Sequence, residues 1–218
     1  MAERIVTIIG MGRGIGKCLA QNFANEGFQV VMIARRMEVL REIQKELQRE
    51  GYTSHPFTCD AGDEEALKAC MEKIREDVGD TDVLIYNAAS IKQIHILQET
   101  ATTLTEDFKV NVSGALVAVK SVYPGMKANG SGTIFFTGAG FANAPDPQFG
   151  SLAIGKAGIR NLSFSLQKVL EGDSIRVCTI TISKNLSKDD PKYNVQEVGK
   201  FFLQVYQDKQ QIQGEVVY

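Results

Sequence analysis

The stretch Arg4-Ile5-Val6-Thr7-Ile8-Ile9-Gly10-Met11-Gly12-Arg13-Gly14-Ile15-Gly16 decides the fold. Its first part, Ile5 to Ile9, is β-branched throughout, a composition that favours a strand buried on both faces. Glycines then recur at Gly10, Gly12, Gly14 and Gly16, where the backbone can turn sharply and approach a ligand with no Cβ in the way. A helical pattern follows at once, so its free N–H groups and positive dipole end point at whatever sits in the turn. Strand, glycine turn and helix in that order form a phosphate site. A tight turn that binds nothing is the competing reading.

The length of 218 residues fits one α/β domain, residues 1–218, with a substantial core. Hydrophobic residues make up 44% and charged residues 23%, ordinary shares for a soluble globular protein. A net charge of −2 with no basic block argues against nucleic acid as a partner. Met1-Ala2-Glu3-Arg4 enters a short strand without the basic region and apolar core of a signal peptide. No apolar run approaches the roughly 20 residues that span a bilayer, so the expectation is a cytoplasmic protein with no membrane contact. Cys18, Cys59, Cys70 and Cys178 are scattered, and only His55 and His95 are at hand to join them. They read as reduced core cysteines, with no metal site.

Outward from the opening turn, strands and amphipathic helices alternate. A helix from Ile15 to Glu26 stops at Gly27, and Phe28 to Ala34 is a second strand ending in Arg35-Arg36. Helical spacing over Glu38 to Glu50 stops at Gly51; Thr53 to Thr58 is a third strand, ending at Cys59-Asp60. A helix over Asp63 to Val78 precedes a fourth strand, Asp82 to Tyr86, which ends in Asn87-Ala88-Ala89. The pattern predicts a long helix over Thr105 to Lys127, with Phe108, Val112, Leu116, Val119 and Val122 as its apolar residues and Pro124 bending its end. Thr133 to Thr137 follows as a strand, Gly138 to Pro147 as a loop, and Phe149 to Leu170 as a helix. Ile175 to Ile182 is a strand, Val195 to Tyr206 a helix, and Glu215 to Tyr218 a last short strand. This alternation predicts a doubly wound, Rossmann-type parallel sheet of about seven strands with helices on both faces. Ligands of such sheets bind outside the carboxyl ends of the strands, where the strand order reverses. The clusters Gly10–Gly16, Arg35-Arg36, Asp60 with Ala61, and Asn87–Ala89 are therefore expected to line one crevice.

With these motifs in this order, the chain resembles the short-chain dehydrogenase/reductase family over almost its whole length. The family's Thr-Gly-x-x-x-Gly-x-Gly turn matches Ile9 to Gly16, with Ile9 in place of the threonine. The aspartate that meets the adenine base matches Asp60, and the Asn-Asn-Ala-Gly motif matches Tyr86-Asn87-Ala88-Ala89 with two departures. The asparagine of the catalytic tetrad matches Asn111, and the lysine of the Tyr-x-x-x-Lys pair matches Lys156. The resemblance implies hydride transfer between a nicotinamide cofactor and a small carbonyl or alcohol substrate. It also implies a homodimer or homotetramer built from the long helices around Asn111 and Lys156.

Cofactor choice has a physical reading. NAD sites place a carboxylate after the second strand to bond the ribose 2′-hydroxyl; here Ala34 is followed by Arg35 and Arg36. A guanidinium grips a 2′-phosphate with a bidentate fork, and Arg13 in the glycine turn is placed to add a second positive charge, so NADP is favoured over NAD. The competing reading is that the arginines are solvated residues at a helix start.

The catalytic positions depart from the family. Leu152 stands where the proton-donating tyrosine belongs, four residues before Lys156, and Ala139 stands at the serine position. Ser183-Lys184 replaces the usual Pro-Gly, and the loop after it is short. Two readings follow. One is an oxidoreductase with a non-standard proton donor, the candidates being Ser151, Tyr193, Lys184, or a water held by Asn111 and Lys156. The other is a catalytically inactive NADP-binding sensor, scaffold or partner subunit. The substrate is unknown on either.

Overall fold

The computed structural model describes residues 4–208 and 214–218, so the expectations for Met1, Ala2 and Glu3 lie outside the described residues. Its strands are β1 (Arg4–Ile9), β2 (Phe28–Ala34), β3 (Ser54–Thr58), β4 (Val83–Tyr86), β5 (Gly132–Ala139), β6 (Ile175–Ile182) and β7 (Gly214–Val217). They form a 7-stranded sheet in the order β3-β2-β1-β4-β5-β6-β7, every neighbouring pair parallel. The helices are α1 (Ile15–Asn25), α2 (Met37–Arg49), α3 (Glu64–Asp77), α4 (Ala101–Phe108), α5 (Gly114–Ala128), α6 (Gly150–Leu170) and α7 (Val195–Gln207). Strand order reverses between β1 and β4, the place where a doubly wound sheet opens its ligand crevice.

The sheet is buried on both faces because its strands are apolar at odd and even positions alike. Val6, Ile8, Val30, Met32 and Phe135 pack on one side with Leu19, Phe23, Leu40, Ile43 and Phe202 of α1, α2 and α7. Ile5, Ile9, Val31, Ile33 and Phe136 pack on the other with Leu67, Met71, Ala118, Val122 and Ile159 of α3, α5 and α6. The period-2 geometry of a strand sends alternate side chains to opposite faces, which is how one run of β-branched residues serves two cores. Register then aligns the strand ends. Ile9 pairs with Ile33 on one side and Tyr86 on the other, and Tyr86 pairs with Phe136, so the loops leaving β1, β2, β4 and β5 emerge side by side.

Several boundaries differ from the sequence reading for identifiable reasons. Asp82 is not part of β4. Its carboxylate accepts from the Ile5 backbone N–H at 2.7 Å and its carbonyl from that of Thr133 at 3.0 Å, so it pins β4 to both neighbours from below. The strand expected over Thr133 to Thr137 runs on to Ala139, because Gly138 and Ala139 pair with Thr181 and Ile182 of β6. The following loop therefore begins at Gly140, with a single 3-10 turn over Gly140–Ala142.

The long helix expected over Thr105 to Lys127 starts earlier, at Ala101, where Thr100 and Thr103 form a reciprocal cap. It is then widened into a π-helical turn over Lys109–Ser113 before α5 continues through Pro124 to Ala128. A π turn carries extra residues and rotates the face of everything beyond it. Phe108 and Leu116, expected on the apolar face, are consequently exposed at 39% and 40%, while Asp107 is only 2% exposed. Among the described residues no helix is long and apolar enough to cross a membrane.

The centre of the sheet carries the stability. Phe135 is fully buried on β5, and its ring meets Phe202 of α7 edge-on with centroids 5.8 Å apart. Phe135→Ala is expected to lower the unfolding free energy by about 3–5 kcal/mol, read from the midpoint of a urea or guanidinium titration, with native circular dichroism retained in the absence of denaturant.

Candidate functional site

The crevice is built on contacts that bring three strand ends together. Gly10 leaves β1 with φ +90°, and a Cβ there would fall inside the backbone of Ala88. This one position needs glycine both for its left-handed conformation and for the close approach. Asn87, just past β4, seals the junction. Its Nδ2 donates to the Gly10 carbonyl at 2.9 Å, and its Oδ1 accepts from Thr137 Oγ1 at 3.0 Å. The Thr137 carbonyl in turn accepts from Lys156 Nζ at 2.6 Å. The ends of β1, β4 and β5 and the head of α6 are thus joined in one chain of hydrogen bonds.

Above this seam the crevice has two lobes. The smaller, of about 490 Å³, is lined by Gly12 and Arg13 of the glycine turn, Arg35, Arg36, Asp60, Ala61 and Ala88. The larger, of about 920 Å³, is lined by Gly14, Ile15, Gly16, Ala139, Phe141, Phe149, Leu152, Lys156, Ser183 and Lys184. Gly10, Gly12, Asn87, Ala89 and Ile91 border both. All four strand-end clusters expected to share one crevice do so.

The turn fits a phosphate group. Gly14 caps α1 with no side-chain acceptor, and the first turn of α1 holds no acidic residue. The Lys17 N–H bonds the Gly12 carbonyl at 2.9 Å, which leaves the Ile15 and Gly16 N–H groups and the dipole at the crevice. A Cβ on Gly12 or Gly14 would meet nothing within 4 Å, which is open space where a ligand can lie against the backbone. The Arg35 and Arg36 side chains make no hydrogen bond or ion pair among the described residues. Arg36 is the residue at the N-terminal cap of α2, as expected for a helix start. Arg13 lines the same lobe. Its guanidinium pairs with Glu42 and Glu46 of α2, and Lys17 pairs with Glu46. Both arginine partners stand on the helix that follows the second strand, so its charge is directed to α2 rather than left free. Such half-exposed pairs are worth only about 0–1 kcal/mol, so a phosphate can displace them. Asp60 Oδ1 accepts from the Gly62 N–H at 2.9 Å, which orders the loop at the far edge of the lobe.

In the larger lobe Lys156 is 8% exposed and has the Thr137 carbonyl as its hydrogen-bond partner. Burial alone pushes its ammonium down to about 8, because the charged form loses water without gaining a counter-charge. Leu152 and Ala139 line the lobe with no group that can exchange a proton. Ser151 does not face the lobe; its hydroxyl donates to Asp107 Oδ2 at 2.8 Å within the protein. The Tyr193 hydroxyl lies 3.3 Å from the Oγ of Ser183, a lining residue, and Lys184 Nζ sits 5.0 Å from the Tyr193 ring centre. Of the donors considered from sequence, Ser151 is therefore withdrawn from the cavity.

Asn111 sits in the π turn beneath the seam. Its Oδ1 accepts from the Ser90 N–H at 2.8 Å, and its Nδ2 is buried without a partner. The widened turn also frees the Val110 carbonyl to accept from the Tyr86 hydroxyl. The residue that sequence reasoning missed is Asp107. Its carboxylate accepts from Ser90 Oγ at 2.7 Å, Ser151 Oγ at 2.8 Å and Lys92 Nζ at 2.6 Å, so it links the loop after β4 to the start of α6. No motif or periodicity marked it, since the π turn decides which way it faces.

Burial alone would raise the Asp107 carboxyl, but the donors Lys92, Ser90 and Ser151 together hold it below the ordinary aspartate range. A carboxyl depressed in the folded state adds stability that is present above its unfolded value, about 3.9, and is lost as pH falls through the folded value. Asp107→Asn is expected to cost on the order of 1–3 kcal/mol at pH 7. The gap to wild type should narrow below about pH 4, as measured by denaturant unfolding across pH.

Comparison with known proteins agrees with this geometry. The profile of the family described as short chain dehydrogenase matches residues 4–185. An uncharacterized oxidoreductase of Mycobacterium tuberculosis is 28% identical over 189 residues, covering 81% of this chain and 53% of that protein. The chain thus spans about half the length of that relative. D-xylose 1-dehydrogenase of Caulobacter vibrioides is 29% identical over 192 residues, covering 88% of this chain and 76% of that one. Among solved structures, L-sorbose reductase from Gluconobacter frateurii, complexed with NADPH and L-sorbose, superposes with a TM-score of 0.91. At 22% identity, over 100% of this chain and 95% of that one, it is a match of fold. A strand–glycine turn–helix opening, a seven-strand parallel sheet reversing at β1 and β4, and a profile match over most of the sequence lead to one conclusion: the chain belongs to the short-chain dehydrogenase/reductase family.

Proposed function

We propose that the crevice binds NADP(H) and that the protein is an oxidoreductase acting on a small carbonyl or alcohol with a non-standard proton donor. The observation that carries the cofactor assignment is the uncapped start of α1 opening, across the empty space over Gly12 and Gly14, toward Arg35 and Arg36. The glycine turn would hold the phosphates, the two arginines a 2′-phosphate, Asp60 and Ala61 the adenine side, and Asn87 to Ala89 the floor. No carboxylate stands at the end of β2 to favour an unphosphorylated ribose. The NADPH bound to the L-sorbose reductase structure points the same way.

A bound nicotinamide would supply or accept the hydride. The chain's own groups must then place the substrate and exchange one proton at its oxygen. Lys156 is the ionisable group deepest in the larger lobe, and its ammonium, brought by burial to about 8, lies near the operating range of a general acid. Lys184, or a water held by Asn111 and Lys156, is the alternative source. The Leu152 and Ala139 side chains in that lobe favour a second reading, an NADP-binding sensor or partner subunit without turnover. Losing a positioned acid typically costs about 10²–10⁴-fold in rate. Exposed Phe108, Leu116 and Ile154 on the helices beside Asn111 and Lys156 support a homodimer or homotetramer through that face.

Both readings predict NADPH binding, seen as enhanced cofactor fluorescence and a raised melting temperature. Arg35→Ala is expected to weaken NADPH by about 10- to 100-fold, as loss of a charged hydrogen-bond pair implies, while changing NADH affinity little. Absence of any NADPH signal at millimolar concentration would overturn both readings together. Oxidation of bound NADPH by a member of a carbonyl panel, abolished by Lys156→Ala, separates the enzyme from the inactive binder.

A further inference from the structure

Lys156 is an unusual lysine on grounds independent of any cofactor. It is buried at 8% exposure yet forms part of the wall of a cavity of about 920 Å³. Among the described residues no carboxylate pairs with it, and the hydrogen bond it makes is to the neutral Thr137 carbonyl. Buried lysines are ordinarily paired. The cavity is lined mainly by apolar groups, with Ser183, Lys184 and Asn185 also on its wall. Leu152 precedes the lysine by one helical turn, Ile182 and Leu186 line the same lobe, and Phe141 stacks on Phe149 with ring centroids 5.5 Å apart. Asp146 also lines the lobe but makes no ion pair with the amine. With a leucine at the tyrosine position, no phenol shares the amine's lone pair or its proton.

A desolvated amine in an apolar pocket with no counter-charge is the arrangement that activates lysine as a nucleophile toward carbonyl compounds. We propose that Lys156 is a carbonyl-reactive lysine that forms an imine with apolar, in particular aromatic, aldehydes admitted to the larger lobe. The Nζ lone pair adds to the carbonyl carbon, and an N–C bond forms as the C=O π bond opens. The carbinolamine then loses its oxygen as water, the two hydrogens coming from the amine, leaving C=N. No oxidant or reductant is consumed. Burial brings the ammonium down to about 8, against about 10.4 for an ordinary lysine. Near neutral pH its uncharged fraction is then on the order of a hundredfold larger than that of a solvated lysine.

The inference does not rest on the cofactor reading, and one experiment separates the two. The full-length protein is treated with benzaldehyde and cyanoborohydride near pH 7.5, which fixes an imine as a stable benzylamine, and the adduct is located by peptide mass spectrometry. The expected result is a dominant single adduct at Lys156, formed at least about tenfold faster than on any exposed lysine and faster with benzaldehyde than with glyceraldehyde. Lys156→Arg removes that adduct and leaves the slower exposed ones unchanged. Adducts spread over exposed lysines such as Lys109, Lys188 and Lys200, with Lys156 unmodified in the folded wild-type protein, would overturn the proposal. So would a rate for glyceraldehyde equal to that for benzaldehyde. The same labelling with saturating NADP+ bears on the cofactor reading alone. Protection of Lys156 supports a shared lobe, and an unprotected but dominant Lys156 adduct upholds the reactive lysine while counting against the cofactor placement.

Discussion

The crevice depends on one side chain that must give and receive a hydrogen bond at once. Asn87 donates from Nδ2 to the Gly10 carbonyl and accepts at Oδ1 from the Thr137 hydroxyl. An amide offers both functions from one planar group. A carboxylate could not donate, and an aliphatic side chain could do neither. The close approach it secures is possible only because Gly10 has no Cβ to meet Ala88. Register then does the rest, since Ile9, Ile33 and Tyr86 end in line. The glycine turn, the arginine pair and the Asn87 loop are held at fixed separations before any ligand arrives.

The sequence made this half of the site readable because its signals are local. A β-branched run followed by spaced glycines states a strand, a turn and a helix start in consecutive residues, and each later strand ends in a cluster of distinct chemistry. What stayed hidden depended on contacts made across the fold. In the π turn around Asn111 the Val110 carbonyl accepts from the Tyr86 hydroxyl, and the Asn111 side-chain oxygen accepts from the Ser90 N–H. That turn rotates the apolar face, and so Phe108 and Leu116 point outward while Asp107 points in. The Glu42 and Glu46 partners of Arg13 lie far along the chain and on the next helix, so their pairing follows from packing alone. Ser151 stands one residue from Leu152 in sequence, but its hydroxyl is engaged with Asp107 away from the lobe.

The two halves of the crevice differ in their chemistry. The glycine-turn side has an open helix start, glycines with room above them, and guanidinium side chains without a partner among the described residues. The larger lobe holds Lys156 beside the aliphatic Leu152 and Ala139, and the lysine donates to the Thr137 carbonyl. Polar groups are nonetheless present in the region, in the buried Asp107 cluster. They are concentrated one layer below, where they fix the loop after β4 and the head of α6 instead of facing a substrate.

The central claim, that the intact half of the crevice is built for a phosphorylated adenosine, is tested most directly with ligands that lack a nicotinamide. Calorimetric titration of the protein with adenosine 2′,5′-bisphosphate and with adenosine 5′-monophosphate isolates the contribution of the 2′-phosphate. The account predicts that the bisphosphate binds at least about tenfold more tightly, the 1.4 kcal/mol or more expected from one charged arginine contact. Equal affinities, or binding of neither compound, would contradict it.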